Sequence, residues 1–280
     1  MSRFSGLATG QGIEGYITRR AQVLKAVMSL QARLFFADPQ WVIPNIIAPF
    51  IFTLVAFFLF GGQTTTSSFL LYLVLGAGLM GMWGTTIYGS GFSISFDRFN
   101  GTMESTLAAP IPLSWIVLGR VAFNTLQGLL NAVLILVIGI TWFQVGFALV
   151  NPGLFLLAAI CTFLSLSAFG LVIAAVCVLS RKGGFITNAM EIPVYVATGT
   201  MFPVSILPWL ALPFAYILAP TWGIEAIRLS AIQGYVGVGP GYWTDLVVLG
   251  LETAAYLGVA FVLYKRVEAY AKRNGTLEEY

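Results

Sequence analysis

The chain has 280 residues, of which 58% are hydrophobic and 9% charged, against about a quarter charged in ordinary soluble domains. A net charge of +3 is too small and too local to suggest nucleic acid, and the absence of histidine excludes Ser-His and Cys-His nucleophiles and His-ligated metals. Residues 39–96 and 121–180 contain no Asp, Glu, Lys or Arg; at roughly 20 residues per crossing each run is long enough for two membrane spans, so an all-α integral membrane protein with one transmembrane domain over 1–280 is expected.

Residues 1–38 hold a cationic amphipathic helix. Ile13, Ile17, Val23, Leu24, Val27, Met28, Leu34 and Phe35 fall on one face at about 100° per residue, with Glu14, Thr18, Lys25, Ser29 and Arg33 opposite. Arg20 and Gln31 interrupt the apolar face. The charges are scattered rather than gathered before an apolar core, which is not the pattern of a targeting signal. The helix is expected to lie at the membrane surface, where Arg19, Lys25 and Arg33 can hold anionic lipid.

Six spans follow, near 41–60, 69–96, 119–140, 153–180, 185–203 and 245–264. The first gap, 61–68, is small and polar, and Asn151-Pro152-Gly153 supplies a turn between the third and fourth spans. With this arrangement 13 of the 14 cations fall on one side and only Arg228 on the other. The positive-inside rule then puts both termini in the cytoplasm, in an inner (plasma) membrane.

Between the second and third spans, 97–112 is the densest polar stretch of the membrane region. Asn100 or Thr102 can cap a short helix that Pro110 ends, with Glu104 in its first turn. On the residues alone, a capped connector and a docking helix both fit. The segment 203–240 is different again: Pro203, Pro208, Pro213 and Pro220 recur too closely for one helix, yet Phe202, Trp209, Leu210, Phe214, Tyr216 and Trp222 make it apolar. A broken, re-entrant outer hairpin covered by neighbouring protein satisfies both constraints.

Several residues are unexpected in lipid. Glu252 lies well inside the last span with Thr253 beside it, where a charge costs several kcal/mol unless paired or protonated. It reads either as a substrate-cation or proton-sensitive group or as a packing hydrogen bond. Glu191 lies nearer the interface, within reach of Arg181 or Lys182. Glu225 and Arg228, three apart, are expected to pair with each other. Cys161 and Cys177, about 24 Å apart along one helix, cannot bridge and are expected to be buried small hydrophobes. Gly76, Gly78, Gly81, Gly84, Gly89 and Gly91 suit close helix packing, within the chain or against a second copy. No Gly-x-x-x-x-Gly-Lys-Ser/Thr is present, so ATP hydrolysis by this chain alone is not expected.

Three segments resemble a known family. Asp97-Arg98, then Gly101-Thr102-Met103-Glu104-x-x-Leu107-x-x-Pro110, is similar to the acidic-Arg-x-x-Gly-Thr-x-Glu-x-Leu-x-x-x-Pro loop of ABC type 2 transporter permeases, with the leucine displaced by one position. Gly199-Thr-Met-Phe-Pro-Val-Ser-Ile-Leu-Pro-Trp-Leu210, followed by Ala219-Pro-Thr-Trp222 and Ile227-Arg228, resembles that family's pattern before the last span, with Ala219-Pro220 where Asn-Pro is common. Arg33-x-x-x-x-Asp38-Pro39 resembles its opening motif. The resemblance implies a two-permease, two-ATPase exporter: a second permease copy, and an ATP-binding cassette subunit that carries ATP and Mg, leaving no cofactor on this chain. It implies docking of that subunit through Asp97, Arg98, Gly101, Thr102, Glu104 and Leu107, with Arg19, Lys25 and Arg33 touching lipid or its surface. It implies a cargo of amphipathic small molecules, drugs or lipid-linked compounds, with polysaccharide or glycolipid export as the alternative. The rival outside the family is an ion-gradient-driven transporter relaying charge through Glu191 and Glu252, and the lack of similarity between the two halves counts against it.

Overall fold

The computed structural model describes the chain from Gly10 to Asn274 except residues 59–66, 103–104, 107–110, 143–148, 181–182, 201–202 and scattered positions between 38 and 57. The expected first span, 41–60, therefore lies largely outside the described residues; 42–44, 50–51 and 54–55 are helical. Among the described residues the regular structure is helical throughout. In chain order the helices are α1 (Gly10–Ala37), α2 (Ser67–Phe99), α3 (Leu113–Trp142), α4 (Pro152–Leu179), α5 (Gly183–Ala197), α6 (Leu212–Tyr216), α7 (Ala219–Ala231) and α8 (Tyr242–Asn274).

Four of these are long and apolar enough to cross a membrane: Phe69–Gly91, Leu113–Thr141, Pro152–Leu179 and Tyr242–Val267. They match the second, third, fourth and sixth expected spans. The fifth, expected over 185–203, is shorter. α5 has 15 residues, about 22 Å at 1.5 Å per residue, and it stops because Gly199 takes φ +76, a left-handed conformation that no helix continues through.

α2 is the central helix. Its span is 89% buried, against 11% for α8, and it packs on α3, α4, α5 and α7. The sequence gives the reason: its glycines let neighbours approach where a methyl group would collide. A Cβ at Gly78 would lie 3.3 Å from Ala132 on α3, at Gly84 2.8 Å from Tyr195 on α5, and at Gly91 2.7 Å from Thr187 on α5. The small-residue seam is thus internal packing. α2 also carries Trp83, 1% exposed and 5.1 Å from the Phe169 ring on α4.

α1 lies along α3. Arg20 sits over the Trp115 ring at 4.8 Å, a Cβ at Gly119 would meet Val27 at 2.8 Å, and the Phe35 and Phe123 rings are 6.3 Å apart. Fifteen residues of α1 thus pass eight of α3, about 22 Å against about 12 Å, so the two helices run the same way and cross obliquely. Arg20, which interrupts the apolar face of α1 in the sequence, is there to stack on Trp115. Leu34, on the apolar face expected to meet lipid, is 56% exposed, and Leu30 and Phe36 nearby are exposed too.

The chain between α5 and α8 is broken as its prolines require. A 3₁₀ turn (Val204–Ile206) is followed by α6 and then α7, where Pro220 occupies the first turn and its missing N–H costs nothing. Ala219-Pro220 therefore opens α7 without an asparagine; the Ala219 N–H reaches Tyr256 Oη at 3.4 Å. Both cysteines are free, Cys177 buried and Cys161 half-buried.

Candidate functional site

Where α2 ends, the backbone closes a Schellman turn: Thr102 N–H donates to Asp97 O at 2.8 Å, with Gly101 at φ +68. Only glycine takes that conformation without strain, which explains the Gly-Thr pair physically. Thr102 then serves the next turn. Its hydroxyl donates back to Asp97 O at 3.2 Å, while its carbonyl accepts from Thr106 N (3.1 Å) and from the Ser105 (2.7 Å) and Thr106 (3.1 Å) hydroxyls. One residue ends α2 and starts a second helical turn at 105–106.

Asp97 does not face outward. Its Oδ2 is 2.6 Å from Arg120 Nη1, in a pair whose side chains are 17% and 11% exposed, so it ties the loop to α3. Phe99 beside it is 88% exposed and Phe96 51%. Sequence reasoning missed Phe99, although an aromatic residue in the last turn before a glycine stop was a legible signal. Glu104 and Leu107 lie outside the described residues, as do the side chains of Arg98 and Arg19. Lys25 and Arg33 are exposed.

At the opposite end of α2 a buried cluster corrects the expected Glu225–Arg228 pair. Arg228 is wholly buried and donates to Gly199 O (2.7 Å), Thr200 O (3.0 Å) and Tyr72 O (3.4 Å), with its guanidinium 3.4 Å from the Tyr72 ring centroid. Those first two carbonyls are left over where α5 ends, at the negative pole of its dipole. Glu225 instead accepts the Tyr235 hydroxyl on both oxygens at 3.0 Å and the Val238 N–H at 3.2 Å. Burial pushes the Glu225 carboxyl up, against the pull of Arg228. Helical spacing brought the two residues near each other, but tertiary carbonyls and a phenol offered better-aligned partners. Arg228 is therefore a clamp joining α2, α5 and α7 rather than a solvated charge.

Of the remaining carboxyls the structure describes Asp245 and Glu252 on α8 and Glu191 on α5. Asp245, fully buried in the first turn of α8, has neither oxygen hydrogen-bonded and lies against Gly239. Glu252 is half-buried, its Oε2 enclosed and without a hydrogen bond. Glu191 accepts the Tyr195 hydroxyl at 3.0 Å; Arg181 and Lys182, its expected partners, lie outside the described residues. Among the described residues no group of three or more acids or cysteines could hold a metal.

A helical bundle with a turned, anchored loop at one end of its central helix and a clamped, broken segment at the other defines a polytopic membrane protein. Its sequence matches the model of the ABC-2 type transporter family over residues 22–231, and the chain belongs to that family. No curated protein matches it. It is the membrane-embedded permease part of an ABC transporter, the part that lacks ATPase motifs.

Proposed function

We propose that this chain is one of two permeases in an ATP-driven exporter of amphipathic small molecules, drugs or lipid-linked compounds. It crosses the inner membrane six times with both termini cytoplasmic, and the 203–240 segment re-enters the outer leaflet. A separate ATP-binding subunit, carrying ATP and Mg, docks on the 97–112 loop.

The observation that carries this reading is the construction of that loop. The Asp97–Arg120 pair and the Thr102 turn fix its base to α2 and α3, while Phe99 stands almost fully exposed. A loop held rigidly at its root, with an exposed aromatic ring where α2 ends, can pass a push to the central helix without absorbing it in flexing. Within this reading Glu104 and Leu107 contact the ATPase, Gly101 and Thr102 shape the turn, and Asp97 and Arg98 frame it. Lys25 and Arg33, exposed on α1, join Arg19 in touching anionic lipid or the same subunit.

The test is ATPase activity of the ATP-binding subunit reconstituted in nanodiscs with the permease. Activity that depends on the permease and falls about tenfold with Glu104→Arg supports docking through the loop, a loss expected for reversing one interfacial charge. Activity indifferent to the permease overturns the reading.

A further inference from the structure

The strongest unexplained group is Glu252. It lies ten residues into α8, about 15 Å along the helix, between a buried stripe (Leu249, Ala260) and residues open to the surroundings such as Leu251. Nothing on its own helix neutralises it. The nearest charges along α8 are Asp245, seven residues toward one end, and Lys265, thirteen toward the other. Arg228, on the neighbouring α7, is spent on three carbonyls.

What surrounds Glu252 is aromatic. The Trp222 indole stands beside it, and the Tyr256 ring lies one turn below it on the same helix. Both rings are fixed by their polar ends: Trp222 Nε1 donates to Tyr216 O at 2.9 Å and Tyr256 Oη to Ile217 O at 2.8 Å. Tyr216 and Phe169 back them, with ring centroids 5.6 Å from Trp222 and 5.0 Å from Tyr256. A half-buried carboxylate with one oxygen enclosed and two anchored aromatic side chains beside it attracts a bulky, poorly hydrated organic cation through charge, with the rings supplying apolar contact.

We propose that Glu252, with Trp222 and Tyr256, forms a recognition site for amphipathic organic cations that reach it from the lipid. This rests on the exporter reading and names its substrate class. The same chemistry is carried by free ammonium or phosphonium compounds and by amine-headed lipids.

Binding to the full-length permease needs neither ATP nor the partner subunit, so it fails or succeeds apart from the ATPase experiment. Tetraphenylphosphonium and the uncharged triphenylphosphine oxide are titrated into permease in phosphatidylglycerol nanodiscs, with tryptophan fluorescence as the readout. The wild-type chain is expected to bind the cation, Glu252→Gln to weaken it at least tenfold with the neutral compound unaffected, and Glu252→Asp to restore part of the loss. Equal binding of the cation by wild type and Glu252→Gln, or a parallel loss of both compounds, overturns the proposal. Adding phosphatidylethanolamine to the discs separates the sources: displacement of the probe assigns the site to lipid headgroups, and persistence of binding assigns it to free compounds, either result supporting cation recognition.

Discussion

Arg228 sets the terms at the residue scale. Its three carbonyl acceptors come from two different segments, and hydrogen bonds to a charged group contribute about 1.5–3 kcal/mol each in proteins. Replacing it by methionine keeps the stem but strands the Gly199 and Thr200 carbonyls, so a loss of about 2–5 kcal/mol is expected, read as a lower thermal midpoint of the detergent-solubilised permease. Arg228→Lys should recover only part of this, because an ammonium cannot span the fork or lie flat on Tyr72. A midpoint unchanged in Arg228→Met would mean that the clamp does not hold these helices together. Arg228 was also the single cation on the wrong side of the charge count; buried against carbonyls, it is not one of the solvated charges on which the positive-inside rule depends. Its presence near Glu225 was legible from the three-residue spacing, but its partners were not, since they lie 28 and 156 residues away.

At the scale of elements, the loop after α2 tests whether shape or contact matters. Gly101→Ala puts a Cβ into a left-handed conformation at a cost of about 1–2 kcal/mol, with open space around it, so the expected effect is local strain rather than a clash. Coupled ATPase activity should fall while the thermal midpoint of the permease moves little. Phe99→Ser should likewise leave stability unchanged, because the ring is exposed, and should weaken binding of the ATP-binding subunit in a pull-down from nanodiscs. If Phe99→Ser instead lowers the midpoint and spares the binding, the ring packs on this chain or lipid and not on a partner. Much of the element structure was legible: proline spacing announced the broken 203–240 segment, and Asn151-Pro152 the start of α4, whose first turn indeed contains Pro152. The short α5 was not, because hydropathy runs on past the residue where the backbone stops. Gly199 ends that helix through φ, a property that apolar composition does not register.

For the whole molecule the open question is which end of the bundle faces the cytoplasm, and two independent features agree. In the proposed six-span arrangement thirteen of the fourteen cations fall on the side that carries the anchored loop. If the loop meets an ATP-binding subunit, it must be cytoplasmic, and the charge bias then follows without a further assumption. The distribution of burial adds a mechanical consequence. α2 is enclosed along its span and is gripped at one end by Arg228 and at the other by the Asp97–Arg120 pair, so a displacement of the loop reaches the far end through one rigid helix. In a Cys161→Ala, Cys177→Ala background, a cysteine at Gln63 should react with an impermeant maleimide added to intact cells, and one at Lys272 only after permeabilisation. Labelling of both from outside would break the odd number of crossings, five, between them, and labelling of Lys272 alone would invert the chain and remove the loop from any cytoplasmic partner.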